Sequence, residues 1–200
     1  KVEDVPPGKV GVQIRLFGDP LPPGQILAAE SSKGILRDVL RPGKYFINPY
    51  AYQVETFDAI NIRPGHVGVV TSLVGLDVLS ADLPPELRNT FLVNPELKGV
   101  QRAVLDPGTY YLNPYIVGIV EVNLQSQRFE LSGDDAITFL TADGFMITVE
   151  GTLEYAVRRD KVALLTHQLG DMDDVLKKLI LPRARGFSRI EGSKNPAKNY

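Results

Sequence analysis

The decapeptide RPGKYFINPY at 41–50 returns as DPGTYYLNPY at 106–115, and no other feature restricts the fold as much. The likeness runs further upstream. KGILRDVLRPGKYFINPY (33–50) aligns with KGVQRAVLDPGTYYLNPY (98–115) without a gap and is identical at 11 of 18 positions. A second echo precedes each copy: PPGKVGVQI at 6–14 resembles RPGHVGVVT at 63–71. A unit of strand, connection and long phrase therefore occurs twice, at about 1–58 and 59–124. Internal repetition on this scale means stacked or arrayed copies of one supersecondary unit.

The phrase reads as turn chemistry. Pro42 and Pro107 fix φ near −65°, and Gly43 and Gly108 supply the positive φ that a type II turn needs next. Apolar and β-branched residues lie on both sides, so each Pro-Gly is expected to close an antiparallel hairpin. Asn48-Pro49 and Asn113-Pro114 then end the second strand, because proline donates no ladder hydrogen bond and holds the preceding residue extended.

Further strands are expected in YQVETFDAI (52–60) and IVGIVEVNLQSQRFEL (116–131). AITFLTADGFMITVEGTLEYAV (136–157) reads as one long hairpin turning at Asp143-Gly144. Residues 75–97 form an insertion in the second unit, longer than its counterpart 18–32, with a short helix expected around 86–90. After Val157 the pattern becomes helical. Asp160 is expected to cap a helix that stops at Gly170. A second helix starts at Asp171 with Val175, Leu176, Leu179 and Ile180 on one stripe. Its acidic start and the later Lys177, Lys178, Arg183 and Arg185 suit the helix dipole. Pro182 is expected to kink this helix, or to end it and start another.

The fold class is thus α+β. Tandem small β-rich modules of antiparallel hairpins lead into an α/β subdomain with C-terminal helices. The boundaries are 1–60 for the first β module, 61–131 for the second with its insertion 75–97, and 132–200 for the α/β part, with helices at about 160–169 and 171–190. The ending KNPAKNY has no folded terminus and reads as a fragment. The chain begins at Lys1 rather than methionine, so a missing leader or anchor carries no weight.

A net charge of −2 gives no reason to expect nucleic acid as a partner. The complete lack of cysteine removes disulfides, thiolate metal sites and a cysteine nucleophile. The longest nearly apolar stretch, HVGVVTSLVG at 66–75, is far shorter than the roughly 20 residues that span a bilayer.

The search for chemistry returns little. His66 opens a strand in the slot that Lys9 fills in the first unit, so the surface reading is preferred. His167 sits in the last turn of the first helix, a favourable dipole position. Asp134 and Asp135 read as a turn. Asp171, Asp173 and Asp174 lack the twelve-residue loop, glycine and closing glutamate of an EF-hand. No phosphate-cradling loop, zinc helix or nucleophile elbow occurs. No catalytic, metal or cofactor residues are therefore assigned, and no cofactor is expected. Tyr45, Tyr50, Tyr110, Tyr111 and Tyr115 recur with the repeat and read as packing residues with hydrated hydroxyls. From 177 to 200 there are seven basic residues against one acidic. Of these, Lys177, Lys178, Arg183, Arg185 and Arg189 are candidate contacts to a neighbouring subunit or to anionic lipid.

RPGHVGVVTSLVG, then GVQRAVLDPGTYYLNPY, then LTADGFMITVEGTLEYAV resemble, in order and spacing, the stomatin/prohibitin/flotillin superfamily, the SPFH or band 7 domain. Residues 63–74 resemble its opening strand, 99–115 its hairpin, and Thr141, Asp143 and Gly144 its T-x-D-G element. Residues 160–191 resemble its helices. The likeness covers about 61–195. The extra β module in residues 1–60 departs from the usual single copy, as does the insertion, and tandem β repeats ahead of such a domain also resemble the cage-forming major vault protein. The resemblance implies a non-enzymatic, membrane-associated scaffold that assembles with itself into a ring or cage. Such a scaffold organises a membrane microdomain or encloses membrane proteins, with attachment through segments outside this chain. It also implies an alternative, a regulatory binding module for a membrane protease or another enzyme. A hydrolase or sugar-binding β protein using carboxylates across strands is the third reading, with only the turns and tyrosines behind it.

Overall fold

Each of the two Pro-Gly openings starts a strand with a continuously buried stretch, residues 10–12 and 67–70, and those strands sit at the centre of two matching sheets. The computed structural model describes residues 1–77, 91–170 and 172–199. It divides into two compact units, Lys1–Glu121 and Val122–Tyr200. The ladders between named strands whose registers are resolved are antiparallel, and two helices close the chain, an α+β fold.

In the first unit β1 (Val2–Val5), β2 (Lys9–Arg15), β3 (Gly34–Leu40), β4 (Gly43–Phe46) and β5 (Tyr52–Asp58) form module 1. β6 (Ile60–Ile62), β7 (His66–Ser72), β8 (Gly99–Leu105), β9 (Gly108–Tyr110) and β10 (Val117–Asn123) repeat the order as module 2. The sheets are β3-β2-β5 with β1-β4, and β10-β7-β8 with β6-β9. Even the irregularities coincide. β2 and β3 pair as Val12↔Val39 and then Ile14↔Ile35, so residues 36–38 face Gln13 alone. β7 and β8 pair as Val69↔Val104 and then Thr71↔Val100, the same bulge at the same place.

The topology corrects the expected hairpins. β3 and β4 flank Pro42-Gly43 but do not pair with each other: β3 joins β2, and β4 joins β1. β8 and β9 behave alike around Pro107-Gly108. Gly43 and Gly108 both sit at φ 154°, far from the value near +80° of a type II turn. The Pro-Gly pair is a corner that passes the chain from one small sheet to another. Strand periodicity tells which side chains share a face, but not which strand lies alongside.

The core of this unit is largely valine. Val5, Val10, Val12, Ile62, Val67 and Val69 are essentially inaccessible to solvent, and each contributes about 1.5–3 kcal/mol by burial. Gly11 and Gly68 occupy equivalent points on β2 and β7. A Cβ on Gly68 would lie 2.5 Å from Ile62 Cδ1 and 3.1 Å from Ile119 Cγ2, so a side chain here would force the Ile62 tip to move.

The loops between the second and third strands of each module hang from identical necks. Asp19 N–H donates to the Ser31 carbonyl and Lys33 N–H to the Asp19 carbonyl, both at 3.0 Å. Leu76 and Lys98 repeat the pair at 3.3 and 2.9 Å. Gly18 and Gly75 enter the necks at φ 111° and 130°. The helix expected around 86–90 lies outside the described residues.

In the second unit β11 (Gln127–Leu131) pairs with β14 (Gly151–Tyr155), and β12 (Ile137–Leu140) with β13 (Met146–Val149). The single long hairpin expected over 136–157 is therefore shorter. Its turn does contain Asp143-Gly144, but its second arm breaks after Val149 and goes on to another sheet. Helix α1 (Val162–Leu169) ends at Gly170, φ 91°. Asp160 does not cap it: Lys161 is the N-cap, without a side-chain bond, and Asp160 pairs instead with Arg158 at 3.1 Å. Next, α2 (Met172–Asp174), a π-helical segment (Val175–Ile180) and α3 (Leu181–Gly192) follow one another as a second helix. Pro182 neither ends nor splits it. Proline cannot donate to the carbonyl four residues back and crowds it; the preceding turn widens, with Leu181 N–H bonding five residues back to Leu176. Leu131, Ile137, Phe139, Leu176 and Leu181 form the core here.

Candidate functional site

The repeated corner is assembled from its own residues. Tyr45 folds its ring over Gly43, 3.7 Å from where a Cβ would stand, and its hydroxyl donates to the Arg41 carbonyl at 2.8 Å. Tyr110 does the same to Asp106 at 2.8 Å. A tyrosine hydroxyl reaching back over a chain reversal is a known way to fasten such a corner. Each hydroxyl thus donates its proton to backbone, in an exposed position that leaves its lone pairs open to solvent. Three residues later the asparagines make a second clip. Asn48 Oδ1 accepts from Tyr50 N–H, and Asn113 Oδ1 from Tyr115 N–H, both at 3.0 Å. These Asx turns lead the chain from the corner into β5 and β10.

Beyond that point the copies differ. Asn113 is 4% exposed, and its Nδ2 donates to the Leu36 carbonyl of module 1 at 3.0 Å. Leu36 lies in the bulged stretch of β3. The Tyr115 hydroxyl donates to Glu55 Oε2 at 2.7 Å, and its ring stands edge-on to Phe57, centroids 5.6 Å apart. Hydrogen bonding to the Glu55 carboxylate, with burial and the charge of that carboxylate behind it, raises the Tyr115 pKa above its ordinary value. Module 2 thus docks on module 1 through its Asn-Pro-Tyr. In module 1 the matching Phe46 and Tyr50 are 91% and 90% exposed. Both corners share the proline, glycine, tyrosine and Asn-Pro-Tyr that shape them, so the local motif does not show which copy is covered.

Module 2 adds a fastening of its own. Arg63 donates through its backbone N–H and Nε to Glu121 Oε1, at 2.9 and 3.1 Å, and through Nη2 to Oε2. The Arg63 side chain first, then its backbone N–H, holds Glu121 below the usual carboxylate range.

In the second unit the T-x-D-G turn is a docking point for the chain after α3. Thr141 Oγ1 donates to Asp143 Oδ1 at 2.6 Å and accepts from Phe145 N–H at 3.0 Å. Ala197 N–H donates to Asp143 Oδ1 at 2.9 Å, and Ala142 N–H to the Asn195 carbonyl at 3.0 Å. The Thr141 hydroxyl, then the Ala197 N–H, lower the Asp143 pKa against a smaller effect of burial.

The residues scrutinised for chemistry do not converge. His66 opens β7 half-buried, with Nδ1 3.2 Å from the Pro64 carbonyl, and His167 is exposed in the last turn of α1. Asp134 and Asp135 lie in a 3-10 turn, where Asp135 accepts from Arg185 at 3.1 Å. Asp173 and Asp174 are in the first turn of α2; Asp171 lies outside the described residues. Among the described residues no group of His, Asp and Glu has the arrangement of a metal site. A groove of about 490 Å³ in the first unit has Glu96 as its one lining carboxylate, beside Arg37 and mostly apolar neighbours. Of the basic candidates, Lys178 is paired with Asp174 at 2.8 Å and Arg185 with Asp135, while Lys177, Arg183 and Arg189 are exposed. No helix among the described residues is long and apolar enough to cross a membrane.

Residues 60–198 match the family model described as SPFH domain / Band 7 family, close to the span over which the motifs resemble it. No curated protein matches the chain.

Proposed function

Since the chain belongs to the SPFH domain / Band 7 family, whose members are typically membrane-associated, generally non-enzymatic and often oligomeric, we propose that it is a scaffold subunit. In this reading copies assemble side by side into a ring or cage at a membrane, organising a microdomain or enclosing membrane proteins. Attachment to the bilayer comes from segments outside this chain. The observation that carries the reading is the docking of one β module on the next through the repeated Asn-Pro-Tyr. A module that serves as the seat for another copy of itself is a wall element, and head-to-tail contacts close into rings when the rotation permits. The structural turns Pro42, Gly43, Asn48, Pro49, Pro107, Gly108, Asn113, Pro114, Asp143 and Gly144 keep that wall in shape. Lys177, Lys178, Arg183, Arg185 and Arg189 are the cations offered to a neighbour or to lipid, with Lys178 and Arg185 also holding surface ion pairs within the chain. The insertion 75–97 is the place for a membrane protease or other client to attach. Sizing of the gently solubilised full-length protein by mass photometry tests the proposal: a large, discrete oligomer is expected, and a monomer or dimer overturns it.

A further inference from the structure

Module 2 covers its corner against module 1, whereas module 1 presents the same corner to solvent. Phe46 and Tyr50 are almost fully exposed, as are Asn48 and Pro49. Their counterparts Tyr111, Asn113, Pro114 and Tyr115 are all buried or half-buried. Asn48 Nδ2 and the Tyr50 hydroxyl, whose equivalents bind Leu36 and Glu55, have no partner among the described residues. Two exposed aromatic rings flanking an unpartnered amide are a poor surface but a complete half of an interface whose other half is known.

That other half is a bulge carbonyl, a carboxylate and a ring, here Leu36, Glu55 and Phe57. The carboxylate and the ring belong to β5, which leads, through Ala59 alone, into the first strand of the module it receives, and the carbonyl belongs to β3 of the same sheet. We infer that the corner formed by Phe46, Asn48 and Tyr50 is a docking surface for a further β module of this same kind. That module is joined in tandem ahead of β1 and carries an acidic residue and an aromatic ring at the positions of Glu55 and Phe57. A second copy of this chain does not fit. The Glu55 and Phe57 of each copy are already engaged by its own Tyr115, and the equivalents in module 2 are Val120 and Val122, with neither carboxylate nor ring. The inference deepens the stacking reading above: the array has an open, chemically defined end.

The test is a three-module chain in which residues 1–58 are repeated directly ahead of Val2, placing a new Glu55 and Phe57 before the open corner. Amide exchange at 46–50 is expected to slow at least about tenfold relative to the natural chain, approaching that at 111–115. Asn48→Ala, which in the natural chain removes only the exposed Asx turn, should then lower the unfolding midpoint as far as Asn113→Ala does. Glu55→Ala with Phe57→Ala in the added copy alone should restore fast exchange at 46–50. In the natural chain the same double substitution should speed exchange at 111–115 while the β2/β3 amides stay protected. Unchanged exchange at 46–50 in the three-module chain, or protection in the natural chain that rises with protein concentration, overturns the inference. All of these readouts concern a single chain, so failure to form a ring leaves them standing, and their failure leaves ring formation untouched.

Discussion

Tyr45 and Tyr110 each spend a hydroxyl on the carbonyl four residues back, and each lies over a glycine. Removing that oxygen leaves the ring in place, so Tyr45→Phe and Tyr110→Phe are expected to cost about 0.5–1.5 kcal/mol each, read by urea unfolding. Asn113 and Asn48 make the sharper comparison. Asn113→Ala strands the Leu36 carbonyl in a buried contact and is expected to cost about 1–3 kcal/mol; Asn48→Ala costs only the loss of its exposed Asx turn. Equal losses at the two sites would remove the asymmetry between the modules. Gly68→Ala drives a methyl into Ile62 and Ile119 and is expected to cost about 1–3 kcal/mol. Gly11→Ala costs less, since its nearest neighbours lie 3.1–3.3 Å from the new atom. Tyr115 adds a pH signature. Its raised pKa means that its bond to Glu55 stabilises the folded chain fully below the ordinary tyrosine value of 10.0. That contribution is lost as pH rises through the raised value. Tyr115→Phe should therefore flatten the alkaline limb of a stability–pH curve.

At the level of elements, the sequence disclosed the repeat, the strands and the corner residues, because proline, glycine and asparagine act locally. It did not disclose pairing. β3 could lie against β4 or β2 with the same faces inward, and the choice depends on residues dozens of positions away. The Gly-x-Tyr spacing was a usable sign of a fastened corner in place of a hairpin. Pro182 marked the disturbed point of the second helix, but whether the helix kinks, stops or widens is decided by Leu176 and Leu181, both held in the core. The T-x-D-G turn is a further case, recognisable as a turn yet silent about the segment it receives. Asp143 is held below the ordinary aspartate value of 3.8, so its hold on Ala197 is fully present above that value and fades as pH falls through the lowered one. The Ala197 amide resonance should therefore shift only as pH falls below that ordinary value. Asp143→Asn should abolish that shift while leaving the Arg63–Glu121 clamp unaltered.

For the molecule as a whole, one local recipe applied twice yields two like corners, of which the second is seated on the first module and the first faces solvent. Assembly at the scale of rings is tested by sizing, as above, and the tandem docking by exchange. The necks carry a separate implication. Two loops of unequal length, 18–32 and 75–97, leave and re-enter the sheets through the same hydrogen bonds and the same left-handed glycines. Doubling the length of a flexible loop adds only about 0.6 kcal/mol of closure entropy. Each neck therefore works as a socket. Foreign sequence, whether an epitope, a fluorophore tag or a client-binding peptide, is expected to be accepted at the exposed residues 22–25 of the first loop while the frame beneath keeps its geometry.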